Sequence, residues 1–420
     1  MSSTPVSTEP RYMRTSFLWI SFGVLHLLFF GLLSPLIFTG EVLSDIQFYR
    51  QWAFEGINDG QWQGISTSWV YPIGALAPML LAAVFGYGAY QFTWFLIFAG
   101  LNAAALAVLT GKRTRQRFVA AYWWMGITAL LGPVAVGRVD GLTVPLVIIG
   151  LMLLATRPVV ASALLAAATW IKVWPAAVIL AVLAVFRRRL TVLATGAAVS
   201  ALIAAFVAAA GGLRYLLSFV GAQGDRGMQL EAPFTTPGLW QAILGSSDAY
   251  IFEDTVINTR EVRGALGEPV AALMTPLLAL AAVAVVILLL WALRRGADAG
   301  SLLAAGSLAL VGAFIVFNKV GSPQFMLWLG AVVAVGVAWE GRSWRVPALM
   351  MLPIAALTTL VYPMFYAALY DDLNIGVAAL LTIRNLLVMA LFAWAVFRIV
   401  QLARAGRPVT ESAVRPEPAP

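Results

Sequence analysis

The sequence contains no cysteine and only one histidine, His26, among its 420 residues. Without cysteine the chain can form no disulfide framework, no thiol nucleophile and no thiolate-bound metal site. The single histidine lies in an apolar run, which excludes metal sites and catalytic triads built on histidine. We interpret His26 as a polar residue of a helical core that is hydrogen-bonded to a neighbour.

Charged residues are also scarce. They make up 11% of the chain, whereas a soluble domain carries about 25%. Hydrophobic residues make up 61%, which is more apolar surface than a water-soluble globule can bury. This composition excludes a soluble enzyme, a disordered protein and a fibrous protein, and it predicts a chain that crosses a bilayer many times.

The apolar runs predict the transmembrane helices, because a helix needs about 20 apolar residues to cross the hydrocarbon core. We expect an all-α polytopic membrane protein with about 12 spans in a single transmembrane domain, residues 1–406, and a disordered cytoplasmic tail, residues 407–420. The predicted spans, of which the fourth to sixth are short and therefore tilted, broken or half-buried, are 16–39, 89–110, 118–136, 142–156, 159–171, 173–186, 190–211, 269–293, 300–317, 324–339, 346–367 and 375–400.

Basic residues predict the orientation, since loops rich in arginine and lysine stay on the cytoplasmic side. With both termini cytoplasmic and the first span an uncleaved anchor, the inner side holds most of the 27 basic and few of the 19 acidic residues. The formal net charge of +8 therefore reflects this excess on the inner side. Anionic lipid of the inner leaflet suffices as its partner, and no nucleic acid is expected. The inner set comprises Arg11, Arg14, Lys112, Arg113, Arg115, Arg117, Arg157, Arg187, Arg188, Arg189, Arg294, Arg295, Arg342, Arg345, Arg398, Arg404, Arg407 and Arg415.

The same orientation leaves two long outer loops, 40–88 and 211–268, where function is expected to concentrate. In the first, the spacing from Asp45 to Phe54 predicts a short helix on the membrane surface, with aromatic residues along one face. The functional interpretation is a carboxylate facing an aromatic platform for a sugar. The alternative is an interfacial aromatic belt with Asp45 as a helix cap. The segment 73–86 is predicted to be a re-entrant or surface helix.

Charged side chains at hydrocarbon depth are costly and usually functional. Arg138, Lys172, Lys319 and Arg384 lie inside or at the edges of predicted spans and together predict a cationic pocket. The alternatives are snorkelling and an internal ion pair between Arg138 and Asp140.

The second outer loop places Asp225, Arg226 and Glu231 close together among prolines and glycines, which predicts an ordered loop over a cleft or a solvated connector. Asp59 lies in an Asn-Asp-Gly turn and is a weaker candidate for a direct role. The predicted sugar or acceptor contacts are Tyr49, Trp52, Trp69, Tyr71, Glu231 and Asp59.

The order of these pieces resembles the integral-membrane glycosyltransferases of the GT-C superfamily. Within it the chain is most similar to glycosyltransferase family 87, the polyprenyl-phosphate-sugar-dependent mannosyl- and arabinofuranosyltransferases of actinobacteria. The chain departs from the family at Ile73, where a second proline is frequent, and at Arg138, where glutamine is frequent. The matching motifs are SDIQFYRQWA (44–53), VYP (70–72), GRVDGL (137–142), KVWP (172–175), DRGMQLEAPFTTP (225–237) and KVGSPQF (319–325).

The resemblance implies a GT-C-like helical bundle with juxtamembrane helices at the outer face. It also implies inverting transfer there, from a polyprenyl-phosphate-linked sugar, favoured as mannose, to a cell-envelope glycolipid or glycan. The catalytic acid of the family maps onto Asp45. The chemistry agrees, because an acceptor hydroxyl needs a general base and one carboxylate suffices.

Cationic side chains would stabilise the departing lipid phosphate. The candidates for that contact are Lys172, Lys319, Arg226, Arg384 and Arg138. No clustered carboxylates mark a metal site, and Asp371 and Asp372 are interpreted as solvated, so we expect no metal and no cofactor. Two other classes stay open, namely a secondary transporter or lipid flippase and a non-catalytic assembly factor of the cell envelope.

Overall fold

The computed structural model describes residues 10–224, 227–254, 259–264 and 267–406. Arg226 and the predicted tail lie outside these residues. The first nine helices are α1 (Thr15–Thr39), α2 (Ile46–Asp59), α3 (Leu76–Ala82), α4 (Tyr90–Thr110), α5 (Arg115–Val136), α6 (Asp140–Leu153), α7 (Pro158–Ile171), α8 (Pro175–Val185) and α9 (Arg189–Ala209). They are followed by α10 (Ser218–Gly224), α11 (Thr236–Ile243), β1 (Ala249–Asp254), β2 (Thr259–Gly264), α12 (Gly267–Arg294), α13 (Ala299–Val316), α14 (Phe325–Glu340), α15 (Arg345–Thr359), α16 (Tyr366–Tyr370) and α17 (Ile375–Ala405).

Eight helical segments of the described chain are long and apolar enough to cross a membrane. One of them, Phe325–Met364, comprises α14 and α15 with a short 3₁₀ turn between them. Shorter apolar helices, among them α6, α7 and α8, complete the bundle. Each of the twelve predicted spans coincides with a helix, and the all-α polytopic class is confirmed.

The most buried helices lie at the centre of the bundle and the most exposed ones at its edge. In α13 the apolar stretch is 78% buried, whereas in α9 only 11% is buried. Both are apolar on all sides, as helices in lipid must be. The short helices α7 and α8 each begin with a proline, Pro158 and Pro175, whose missing N–H is unpaired at a helix start in any case.

Successive helices run in alternating directions, so the connections between them gather at two ends of the bundle. One end, the basic end, holds 111–114, 154–157, 186–188, 295–298 and 341–344, and there the side chain of Gln116 donates to the carbonyls of Ala338 and Trp339. The other, the site end, holds 40–89, 137–139, 172–174, 210–224, 227–254, 259–264, 317–324 and 360–374. Both ends of the described chain lie at the basic end, where Gly406 packs against Arg295.

The first segment at the site end carries the predicted surface helix. The structure extends it to α2 (Ile46–Asp59), which is amphipathic. Its buried face includes Ile46, Tyr49 and Ala53, and it packs on α3 beside the start of α4. The apolar segment 73–86 forms a 3₁₀ turn and α3, which are too short to span.

The second segment at the site end departs from the all-α expectation, because it contains an antiparallel hairpin of β1 and β2. The extended residues 228–230 join the hairpin as Val262 donates to the Met228 carbonyl and Leu230 to the Arg260 carbonyl. Leu230 and Val262 pack with Leu369 and Leu381 in one apolar cluster, so the hairpin caps α16 and α17.

Gln229 ties this cap to the loop between α13 and α14. Its main-chain N–H donates to the Lys319 carbonyl, and its side-chain oxygen accepts from the Gly321 N–H at 3.1 Å. A Cβ at Gly321 would meet the main chain of Glu231 and Ala232, so only glycine allows the two loops this contact.

We therefore expect Gly321→Ala to lower the apparent Tm in detergent, because the added methyl group forces two backbones apart at a cost of about 1–3 kcal/mol. The matched control is Gly196→Ala in α9, where nothing lies within 4 Å of the added carbon. That change should be neutral or stabilise by about 0.5–1 kcal/mol. Equal Tm values for the Gly321 variant and the unchanged protein would contradict the packing argument.

Candidate functional site

Asp45 and Arg138 form an ion pair at the site end. Asp45 immediately precedes α2, and Arg138 lies in the turn between α5 and α6. An Nη1 of Arg138 contacts Oδ2 of Asp45, and its Nη2 donates to the Tyr362 hydroxyl at 2.8 Å. The Ser44 hydroxyl lies 3.4 Å from the same Tyr362 oxygen. Asp45 occupies the N-cap position of α2, but its side chain makes no cap hydrogen bond to the helix and contacts Arg138 instead.

A second ion pair joins Lys172 to Asp140, with 3.8 Å between Nζ and Oδ2. The Asp140 side chain is only 1% exposed, and its Oδ1 accepts from Trp328 Nε1 at 2.8 Å. Lys172 also lies over the Tyr71 ring, 4.3 Å from its centroid. The alternative of an Arg138–Asp140 pair is therefore wrong, since each of these residues pairs with a different segment. A buried carboxylate needs such partners to offset its lost hydration.

The predicted aromatic residues form one cluster beside Lys172. Trp52 packs edge-on against Trp69 and Tyr71, with centroids 5.4 and 6.0 Å apart, and Tyr49 lies 6.2 Å from Tyr71. Tyr49 and Trp69 are buried, whereas Trp52 and Tyr71 are half-buried. Burial raises the pKa of Tyr49 well above its ordinary value. Only Trp52 and Tyr71 thus offer ring surface to a ligand, and Tyr49 and Trp69 support them.

Glu231, Arg384 and Tyr366 form a third, buried group. Arg384 in α17 donates from Nη2 to the main-chain carbonyl of Glu231 at 3.0 Å. The Glu231 side chain is buried, and this burial raises its pKa above the ordinary value. A hydrogen bond with Tyr366 and the charges of Arg384 and Arg138 act in the opposite direction. Arg138 therefore faces both Asp45 and Glu231, which links this group to the first ion pair.

The other residues predicted for the site are Asp59, Lys319 and Arg226. Asp59 is at the far end of α2, about 20 Å from Asp45 at 1.5 Å of rise per residue, and it is exposed. Lys319 lies half-buried in the loop that Gln229 holds. Arg226 is outside the described residues. His26 lies in the core with its Nδ1 2.9 Å from the Phe22 carbonyl oxygen, and Asp371 and Asp372 are exposed.

Four residues of the site were missed or left in the background by the sequence reasoning. They are Asp140 as the partner of Lys172, Trp328 as its donor, and the two tyrosines at 362 and 366. Tyr362 lies within a break in the helical path at Leu360–Met364, and Tyr366 follows that break. The recurrence of tyrosine at every fourth position from 362 to 370 is a signal that could have identified them. The described residues contain no group of three or more acidic or histidine side chains that could hold a metal.

Carboxylates, cations and aromatic rings thus meet at one end of a bundle of membrane helices. Such an arrangement can serve group transfer in a membrane, because a carboxylate that reaches solvent can act as an acid or base and cations can bind an anionic group. The family model of Glycosyltransferase family 87 matches residues 69–318, more than half of the chain, and the chain belongs to this family. It is therefore a membrane glycosyltransferase.

No curated protein and no solved structure matches the chain. The family match includes Tyr71, Arg138, Lys172 and Glu231. Asp45 precedes the matched residues, and Lys319, Tyr362 and Arg384 follow them. The assignment to the family therefore does not depend on Asp45.

We expect Glu231→Gln to raise the apparent Tm relative to the unchanged protein by more at about pH 8 than at about pH 5. Because burial raises the Glu231 pKa, the folded protein holds this proton more tightly than the unfolded chain. Stability is therefore lost as pH rises from the ordinary pKa through the raised one. Glutamine keeps the shape and does not titrate. The Tm of the variant and of the unchanged protein is measured by thermal unfolding at several pH values, with Glu41→Gln, at an exposed position, as the control. A difference in Tm between Glu231→Gln and the unchanged protein that is the same at every pH would refute the prediction.

Proposed function

We propose that the protein transfers mannose from a polyprenyl-phosphate donor to a glycolipid or glycan acceptor of the cell envelope, with inversion at the anomeric carbon and Asp45 as the general base. Transfer of arabinofuranose from the corresponding polyprenyl-phosphate donor is the alternative with the same mechanism. Membership of the glycosyltransferase family supports sugar transfer in general. The choice of sugar, donor and acceptor rests on the resemblance of the motifs.

The assignment of Asp45 as the base rests on the exposure of its side chain to solvent. Three carboxylates belong to the ionic network, and two of them are buried: the side chain of Asp140 is 1% exposed, and Glu231 as a whole residue is 3% exposed. The Asp45 side chain is 24% exposed. An acceptor hydroxyl that arrives from water can therefore reach Asp45, whereas the other two carboxylates are closed off by protein.

In the proposed step the acceptor oxygen attacks the anomeric carbon from the side opposite the phosphate. Asp45 removes the proton from that oxygen as the new carbon–oxygen bond forms. The bond between the anomeric carbon and the phosphate oxygen breaks, and its electron pair leaves with the polyprenyl monophosphate. Arg138 engages Oδ2 of Asp45, and among the described residues no side chain takes the other oxygen, which is available to the acceptor.

The leaving phosphate gains negative charge during the step, and cationic side chains can stabilise it. Lys172, Arg138 and Arg384 lie in the network next to the base, and Lys319 and Arg226 are further candidates from the adjoining loops. The leaving monophosphate has less charge to neutralise than a nucleotide diphosphate, and cationic side chains can supply that neutralisation, so the proposed reaction uses no metal and no cofactor.

We further propose that the basic end faces the cytoplasm and the site end faces the outer side. Connections at the basic end contain Lys112, Arg157, Arg187 and Arg295, and such charge marks the cytoplasmic side. Both termini would then be cytoplasmic, and the acceptor would reach the site from outside the cell membrane.

Asp45→Asn should lower transfer by about 10²–10⁴-fold, because asparagine cannot accept the acceptor's proton. The assay uses purified protein in detergent, radiolabelled polyprenyl-phosphate mannose and an actinobacterial lipid extract as acceptor. The control is Asp371→Asn, an exposed aspartate at the same end, which should transfer normally. Tm and donor binding are measured in parallel to show that the Asp45 variant is folded.

Near-normal turnover by Asp45→Asn would show that another group is the base. Transfer from the arabinose donor alone would keep the mechanism and change the sugar. If neither donor supports transfer, ion-coupled flux in vesicles would test a transport activity in place of the proposed reaction.

Lys172→Met should weaken donor binding about tenfold or more, since a charge-assisted contact to the phosphate contributes about 1.5–3 kcal/mol. Lys172→Arg keeps the charge and should retain most of the affinity. Lys319→Met tests the second lysine in the same way. Lys112→Met at the exposed basic end is the control. Unchanged donor affinity in both methionine variants would place the phosphate elsewhere.

A further inference from the structure

A polar groove of about 560 Å³ runs along the outer side of α2, away from the face that packs on the bundle. Its lining extends from Gln47 to Asp59, and Tyr87 closes one side. At 1.5 Å of rise per residue this stretch of helix is about 18 Å long. The Gln47 end lies two residues from Asp45 along the chain, so the groove ends next to the turn that carries the proposed base.

The groove is lined by side chains that can both donate and accept hydrogen bonds. Gln47, Gln51 and Asn58 are exposed on the same face of α2, and each carries an amide with a donor and an acceptor group. Glu55 stands between them and accepts from Gln51 Nε2 at 2.7 Å. Such a row matches a ligand that presents hydroxyl groups at intervals along its length.

Aromatic rings border the same groove. Phe48 stacks on Trp52 with 6.1 Å between centroids, and Phe54 packs edge-on against Tyr87 at 5.2 Å. The guanidinium of Arg50 covers the Tyr87 ring at 3.9 Å. Aromatic rings next to hydroxyl-binding groups suit sugar rings, which have an apolar C–H face and a polar edge.

Charge and polarity argue against other ligands. The charged residues of the lining are Glu55 and Asp59 against Arg50, so the groove is slightly acidic and repels phosphates and nucleic acid. The amides and carboxylates among the aromatic rings interrupt the apolar lining that an acyl chain would need. Arg50 is only 7% exposed, and within the described chain its Nε has no hydrogen-bond partner.

We propose that this groove binds the saccharide chain of the acceptor and leads its terminal sugar to Asp45. The inference rests on the proposed function and deepens it. It means that the enzyme recognises several sugar units of an extended acceptor, and that the groove adds affinity for long acceptors without taking part in bond formation.

The test is the double variant Gln51→Ala/Asn58→Ala, whose two side chains are exposed and can be removed without disturbing the core. Transfer kinetics are compared for acceptors with one and with four sugar units. We expect KM for the four-unit acceptor to rise about tenfold, equivalent to about 1.4 kcal/mol, with kcat and the one-unit acceptor unchanged. An equal rise for both lengths, or no rise for either, would overturn the proposal. Gln401→Ala at the basic end is the matched control.

Direct binding separates this proposal from the reaction itself. Equilibrium dialysis without donor uses labelled mannotetraose and an arabinofuranosyl tetrasaccharide as probes. Binding of either probe by the unchanged protein, weakened about tenfold in the double variant, supports the groove even if no donor gives transfer. If the unchanged protein binds neither probe, the groove proposal is refuted even when transfer is observed.

Discussion

A carboxylate removed from water costs several kcal/mol unless charges or hydrogen-bond donors replace its hydration. At the site end this requirement connects distant parts of the chain. Asp140 at the start of α6 is neutralised by Lys172, which follows α7, and receives a hydrogen bond from Trp328 of α14. Arg384 of α17 donates to the main-chain carbonyl of Glu231 in the second outer segment, and its charge favours the buried carboxylate of that residue. The charges that chemistry needs are therefore also the contacts that fix the helices relative to one another at this end.

The short lengths of two central helices explain why part of the polar network lies at hydrocarbon depth. Helices α7 and α8 contain 14 and 11 residues, about 21 and 17 Å of rise, against a hydrocarbon core of about 30 Å. Helices this short cannot join the two surfaces of a bilayer. At least one end of each lies at hydrocarbon depth, where irregular backbone is tolerated only when protein or a water-filled cavity surrounds it. Lys172, between these helices, brings a cation to that depth.

The sequence allowed the helices to be predicted but not their ionic partners. Apolar runs mark spans directly, and the predicted span 300–317 differs from α13 (Ala299–Val316) by one residue at each end. Partners depend on tertiary contacts. Arg138 and Asp140 are close in sequence, yet residues two apart at a helix start point in different directions, and Arg138 reaches Asp45 instead. The β-hairpin was missed because its strands are only six residues long, β2 is mostly polar, and turn residues flank the pair.

Arg138 shows how one side chain can serve two stages of the proposed reaction. Before transfer its guanidinium engages Oδ2 of Asp45 and the Tyr362 hydroxyl, and so fixes the carboxylate beside the acceptor. When Asp45 takes the acceptor's proton, the carboxylate loses its charge and its attraction for Arg138 weakens. At the same moment the departing phosphate gains charge, and electrostatic stabilisation is most effective where charge develops. A glutamine at this position could orient the base, but it carries no charge with which to stabilise the departing phosphate. Arginine therefore has a physical role that glutamine lacks.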